Sequence, residues 1–268
     1  VYESDVVSAV ARAARHARRA ARLHVKIDSG MGRLGARPET VGAIAAAIGE
    51  AGSAVDLVAA FTHFADADGA DLDFTEEQHR RFMGSVAPLR EVQPSLMLHC
   101  ANSAATLRLP HMHHDIVRPG IAVYGYAPPQ CGGIVELHPA MTMVACVTQV
   151  KMVRRGDTVG YGRTWRATSD TRVATIAAGY ADGIHRAQSN CGVALVSGQR
   201  VPIIGRVSMD QVSLDVSAVD GVHVGDEVVL FGRQGDAFLG ADEVAAVEGT
   251  ISYEILCNVS ARVPRFIV

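Results

Sequence analysis

Over the first 125 residues, short apolar runs alternate with helix-periodic stretches, and the runs end at polar or ionisable residues. That repeat constrains the fold more than any other feature. A strand, a helix and a second strand in succession build a parallel sheet covered by helices. Apolar runs fall at 23–27, 55–61 and 96–99, and a further short strand and turn is expected at 115–124. Helices are expected over 5–22, 39–51 and 74–91, with another helical turn beginning at Ser103. Ser4 stands where it would cap the first helix, and Asp5 suits that helix's positive end. Lys26, His63, His99 and Arg118 collect at the C-terminal ends of the strands, the end at which α/β barrels place their active sites. Four strands are half of a closed barrel. The expected fold class is therefore α/β, the C-terminal part of a TIM-type (β/α)8 barrel whose front is not in this chain. Val1 in place of an initiating Met fits the same expectation.

The pattern changes near a Pro/Gly-rich stretch at 127–133, where a domain boundary is expected. Residues 1–130 form the partial α/β barrel, and 131–268 form a mostly-β C-terminal domain. Its strands are expected at 142–153, 172–178, 193–196, 201–206, 210–216 and 227–231. Val212, Leu214 and Val216 alternate with Ser213 and Asp215, as in a half-buried strand.

Apolar residues make up 49% of the 268, enough to build a substantial core. A formal charge of −3 argues against a general nucleic-acid or membrane-surface role. The arginines at 12, 15, 18, 19 and 22 then read as a solvated helix flank. Five cysteines without a CxxC pair argue against a disulfide framework or a zinc site, so a cytoplasmic location is expected. No apolar run approaches 18 residues, so no membrane-spanning helix is expected.

Residues 30–35 (GMGRLG) match the dinucleotide pattern GxGxxG. The acidic residue that should end the following strand is missing, and Arg33 would project into the site. A phosphate ligand fits better: Asn102-Ser103 opens a helix, and Gly120-Ile121 offers backbone amides just beyond Arg118. His111, His113 and His114 crowd one loop and read as structural, so no metal is expected.

Taken together these segments resemble the alanine racemase family. The resemblance rests on 26–35 (KIDSGMGRLG), 62–68 (THFADAD), 99–103 (HCANS) and 117–125 (VRPGIAVYG). It continues with 159–162 (VGYG), 178–183 (AGYADG), 205–210 (GRVSMD), 251–254 (ISYE) and 260–265 (SARVPR), in order along nearly the whole chain. It implies a homodimer with shared active sites that interconverts L- and D-alanine with pyridoxal 5′-phosphate, supplying D-alanine for peptidoglycan. The cofactor withdraws electrons from Cα, and two bases act on opposite faces of that carbon.

By the same resemblance Tyr161 takes the proton from L-alanine, reaching into the partner subunit's site, where a network of His63 with Arg118 supplies the cation that favours its phenolate. Arg118 faces the pyridine nitrogen. Asn102, Ser103, Gly120, Ile121 and Tyr253, with His63, complete the cofactor shell. Arg33 meets the substrate carboxylate, as does the backbone N–H of Met209 contributed by the other subunit, and Lys26 matches a lysine carbamylated in some members. Ser208 stands where many members carry Cys. The family's cofactor lysine, which is also the second base, lies in a segment that this chain lacks. Lys26 and Lys151 are its two lysines, and neither stands in the required context. The chain alone is thus expected to be inactive. A broad-specificity or serine racemase of the same family, and a non-catalytic partial barrel, are the alternatives.

Overall fold

A computed structural model describes residues 1–267. The chain divides into two compact units, Val1–His138 and Pro139–Val268. In the first, the elements run α1 (Ser4–His16), β1 (Ala21–Lys26), α2 (Val41–Ala51), β2 (Val55–Phe61), α3 (Asp73–Ser85), α4 (Ala87–Val92), β3 (Met97–His99) and α5 (Ser103–Arg108). The three strands form a parallel sheet in the order β1-β2-β3. Along β1, Leu23 and Val25 are buried, while His24 and Lys26 are only partly covered. That alternation follows from the two-residue period of a strand. The buried side chains join one apolar core with Val7 and Ala11 of α1, Ile44 and Ile48 of α2, Phe82 and Leu89. Small alanines on α1 let it lie close to α2. Across the strand ends, Lys26 is in register with Phe61, and Phe61 with His99.

Several boundaries depart from the sequence expectation. The first helix ends at His16, not near residue 22, because Arg18 adopts a left-handed backbone (φ 52°) and Arg19 donates back to the Ala14 carbonyl. That helix stop normally carries glycine, so an arginine conceals it. Glu3, not Ser4, is the N-cap, and no side chain caps the helix. The helix expected over 74–91 breaks between Ser85 and Ala87, with Pro88 in the first turn of α4. Proline has no N–H to continue the preceding ladder. No strand forms at 115–124. The Asp115 carboxylate accepts from the Leu98 amide, and Arg118 donates its amide to Ala101. Pro119 then leads into a 3-10 turn, Ile121–Tyr124. Three strands, not four, are present in this unit among the described residues.

The second unit contains β4 (Met143–Val153), β5 (Thr158–Val159), β6 (Trp165–Arg166), β7 (Thr171–Ile176), β8 (Val193–Val196), β9 (Gln199–Ile204), β10 (Val212–Asp215), β11 (Glu227–Gln234) and β12 (Ala237–Leu239), then α6 (Ala241–Glu248) and α7 (Ser252–Asn258). Its main sheet runs β12-β11-β4-β7-β10-β9-β8, and β11 also pairs with β8. That pairing closes six of the strands into an antiparallel ring, with β12 paired to β11 outside it. All six expected strands are present with small shifts at their ends. The sequence reading did not anticipate α6 and α7, each under three turns long.

Candidate active site

Four of the expected residues meet at the strand ends of the first unit. Arg118 is held by acceptors on every side: its guanidinium donates to His99 Nδ1 (2.7 Å), the Thr62 carbonyl (2.9 Å), His63 Nδ1 (3.2 Å) and the Cys100 carbonyl (3.4 Å). Its Cζ also lies 5.4 Å from the Phe61 ring, which stacks on His99 at 4.8 Å. Arginine can only donate. His99 must therefore present a bare Nδ1 and carry its proton on Nε2, which lies 3.0 Å from His24 Nδ1. The chain Arg118–His99–His24 thus has a fixed direction.

The same neighbours keep the histidines neutral. Burial first, then Arg118, lowers the pKa of His99 to about 4. Burial, Arg118, Arg33 and Lys26 lower that of His63 to about 4. Near neutral pH the positive charge of the His63–Arg118 pair therefore resides on Arg118. Lys26 is also held below the ordinary lysine value, by burial and then by Arg33, with Arg118 adding to the effect and Asp28 opposing it.

Arg33 lies in the loop after β1. Asp28 shapes that loop by accepting the amides of Gly30 and Gly32 at 3.0–3.1 Å. The loop closes where Asp28 and Ala36 are joined by a backbone bond (2.8 Å). A Cβ at Gly35 would stand 2.6 Å from the Asp28 nitrogen, so glycine is required there. A short 3-10 turn at Pro38–Thr40 follows, and no helix opens directly from the GMGRLG segment. Burial pushes the Asp28 carboxyl up, but the Gly32, Gly30 and Met31 amides and Lys26 outweigh it and hold it below the usual range.

Beside Arg118, Asn102 caps α5 by accepting the Ala105 amide (3.0 Å). Ser103 Oγ accepts from the Gly120 amide (2.7 Å) and the Ala122 amide (3.4 Å). With its oxygen so occupied, the Ser103 hydroxyl has its proton left to give. The Gly120 amide is committed to Ser103, while Ile121 opens a 3-10 turn, a position whose amide has no partner within the turn.

The second unit brings Tyr161 and Met209 together. Both line a cavity of about 580 Å³ with Gly160, Ser208, Asp210 and Gln211. Tyr161 is 72% exposed and Met209 53%. Gly160 (φ 75°) sets the turn that presents Tyr161. Tyr253 stands on α7. A larger opening of about 730 Å³, lined by Ser197, Gly198 and Gly235 among others, contains none of the expected residues.

The turn carrying Met209 rests on residues that the sequence reading named only as motif members. Tyr180 donates its amide to the Ser208 carbonyl and Ala181 donates to the Met209 carbonyl, both at 3.0 Å. Gly179 permits that approach, since a Cβ there would lie 2.3 Å from the Ser208 oxygen. Arg262 spans Asp182 (2.7 and 3.0 Å) and Asp210 (2.5 Å). No sequence spacing signals this clamp, because its members are 52 and 80 residues apart. His24 was missed for the same reason, and Thr62 stood only as a member of the 62–68 segment.

Residues 1–128 match the family profile "Alanine racemase, N-terminal domain", and residues 140–267 match "Alanine racemase, C-terminal domain". The chain is 43% identical to alanine racemase of Cutibacterium acnes over 268 residues, covering 99% of this chain and 71% of that protein. It is 46% identical to that of Desulfosudis oleivorans over 254 residues, covering 91% and 65%. Among solved structures, alanine racemase from Bacillus anthracis with bound L-Ala-P superposes with a TM-score of 0.90 at 36% identity, over 100% of this chain and 69% of that one. The enzyme from D-cycloserine-producing Streptomyces lavendulae gives 0.89 at 38%, over 99% and 71%. Two profiles covering nearly the whole chain, and relatives above 40% identity, place it in one family: the chain belongs to the alanine racemases.

Proposed function

We propose that this chain provides the greater part of a pyridoxal-phosphate-dependent racemase that interconverts L- and D-alanine. The observation that carries this reading is the setting of Arg118. Two neutral imidazoles and two carbonyls take up bonds from its terminal nitrogens, which fix a charged, donor-only guanidinium in one orientation. Lys26 and Arg33 add positive charge nearby, and Asp28 is the one carboxylate that acts on Lys26. An anionic, nitrogen-containing ring fits this donor set. The Ser103 hydroxyl and the Ile121 amide would hold its phosphate. When bound, pyridoxal phosphate supplies an electron sink for charge developing at the alanine Cα.

The chain's own residues have separable tasks. Arg118 stays protonated and keeps the pyridine nitrogen bare, which moderates electron withdrawal and disfavours side reactions. Tyr161 moves the Cα proton at its hydroxyl oxygen on the L face. Arg33 and, from the other subunit of the dimer, the Met209 amide orient the carboxylate. Lys26 faces repulsion from Arg33, and its lowered pKa raises the fraction of free amine. Reaction of that amine with CO2 releases a proton and leaves a carbamate, which would turn the repulsion into attraction. The high exposure of Tyr161 and Met209 favours a homodimer in which a partner subunit covers them. A cytoplasmic enzyme supplying D-alanine to peptidoglycan is the matching cellular role.

The chain's two lysines are Lys26, beside Arg33, and Lys151, on β4 of the second unit. The covalent anchor is in neither place, so this chain alone should give no turnover. The test is D-alanine formation from L-alanine by the protein expressed from its complete coding sequence. Activity that requires added pyridoxal phosphate is expected, and none at saturating cofactor would overturn the reading.

A further inference from the structure

A second cluster of donor atoms lies outside the site just described. The loop triplet His111, His113 and His114 is taken apart by the fold. His111 pairs with Glu76 of α3 (3.0 Å), and His113 with the Thr106 carbonyl (2.8 Å). His114 instead meets two residues remote in sequence, His79 on α3 and Cys100 just beyond β3. One ligand atom from each of these three lies within 4.8 Å of the others. The Nε2 atoms of His79 and His114 are 2.9 Å apart, with the rings stacked at 5.1 Å. His114 holds a left-handed backbone (φ 49°), a conformation disfavoured for a non-glycine residue.

The chemistry of the three atoms suits a cation. Burial and the neighbouring His114 lower the pKa of His79, and burial is likewise the main influence lowering that of His114. Both rings are then neutral; one Nε2 carries the proton of their mutual hydrogen bond, and that proton must move to Nδ1 of the same ring for both Nε2 lone pairs to face a metal. Cys100 is wholly buried, which pushes its thiol pKa up to about 12, and it donates its proton to the Met112 carbonyl (3.1 Å), so the metal's own charge must displace that proton. His114 is exposed, so the cluster opens to solvent on one side.

We propose that His79, His114 and Cys100 bind a divalent transition-metal ion of the zinc class, with water in the fourth position. A donor set of two imidazole nitrogens and one thiolate sulfur selects borderline-soft ions over magnesium or calcium. Zinc–nitrogen and zinc–sulfur distances of about 2.1 and 2.3 Å put tetrahedral neighbours roughly 3.3–3.7 Å apart. The two imidazoles therefore need to separate by about half an ångström, and the exposed His114 has room to turn. On binding, the sulfur–hydrogen bond breaks, the proton leaves to solvent and the thiolate pair goes to the metal. The Met112 carbonyl loses that donor. The three ligands come from α3, the end of β3 and the loop beyond α5, so the ion would cross-link three segments behind the Arg118 cluster.

The test is a titration of the metal-free full-length protein with Co2+, followed by difference absorption. One Co2+ per chain, a thiolate-to-cobalt charge-transfer band and displacement by Zn2+ are expected. Cys100→Ser should abolish the charge-transfer band. His79→Ala and His114→Ala should each weaken binding about tenfold or more. His113→Ala, whose ring is committed to Thr106, should leave the titration unchanged. Zn2+ at a hundredfold excess over Kd should raise the thermal midpoint by about 5 °C or more, and that rise should vanish in His114→Ala. Failure of the intact protein to bind Co2+, or binding that both histidine variants leave unaltered, would overturn the proposal. No part of this readout depends on racemase activity.

Discussion

Arg118 sets the protonation of its surroundings, and that has a consequence for pH dependence. His63 and His99 titrate near 4 in the folded chain, against about 6.5 for an unfolded histidine. Between those values the unfolded state binds more protons, so folding stability falls as pH drops from about 6.5 toward 4. Nitrogen-15 histidine spectra should show both rings neutral at pH 6, with proton on Nε2 of His99. Arg118→Gln should move both pKa values upward without restoring 6.5, since burial is the larger cause. Two rings already half-protonated at pH 6.5 in the parent protein would refute the electrostatic picture. The position of His63 was legible from the sequence because it follows the end of an apolar strand run, whereas Arg118 stands on no strand and is held in place by its amide bond to Ala101. The link from His99 to His24 was not legible, because it depends on which faces of two strands meet.

At the scale of elements, two turns carry the expected substrate contacts, and each depends on a close backbone approach. Gly35→Ala would press a methyl group against the Asp28 nitrogen in a backbone region hostile to side chains. A loss of about 1–3 kcal/mol is expected in urea denaturation, whereas a neutral result would mean that the loop closes differently. Arg262→Gln should release Asp182 and Asp210 and speed hydrogen exchange at the Tyr180 and Ala181 amides, with Arg262→Lys intermediate. Unchanged exchange would assign the clamp no role in holding the Met209 turn. Strands were easier to locate than helix ends. Val55–Phe61 is bounded in the structure as the sequence suggested, because an apolar run of that length has few other uses. The stop at Arg18 lacks its usual glycine, and the break at Pro88 was hidden inside a continuous amphipathic pattern.

Over the whole chain, the closed ring of the second unit contrasts with the open parallel sheet of the first, whose outer strands β1 and β3 have no further strand partners among the described residues. Unpaired edges recruit other chains. This chain by itself should therefore self-associate in light scattering, while the protein from the complete coding sequence should run as a discrete dimer. The ring's closure was not legible, since it rests on the pairing of β11 with β8, about 30 residues distant. The proposed function turns on Tyr161 serving one face of the alanine Cα. That role is best measured by Cα–deuterium exchange in heavy water with the full-length Tyr161→Phe protein, followed separately from each enantiomer. Exchange from L-alanine should fall by about a hundredfold or more while exchange from D-alanine largely persists. An equal, mild loss from both would deny Tyr161 that role.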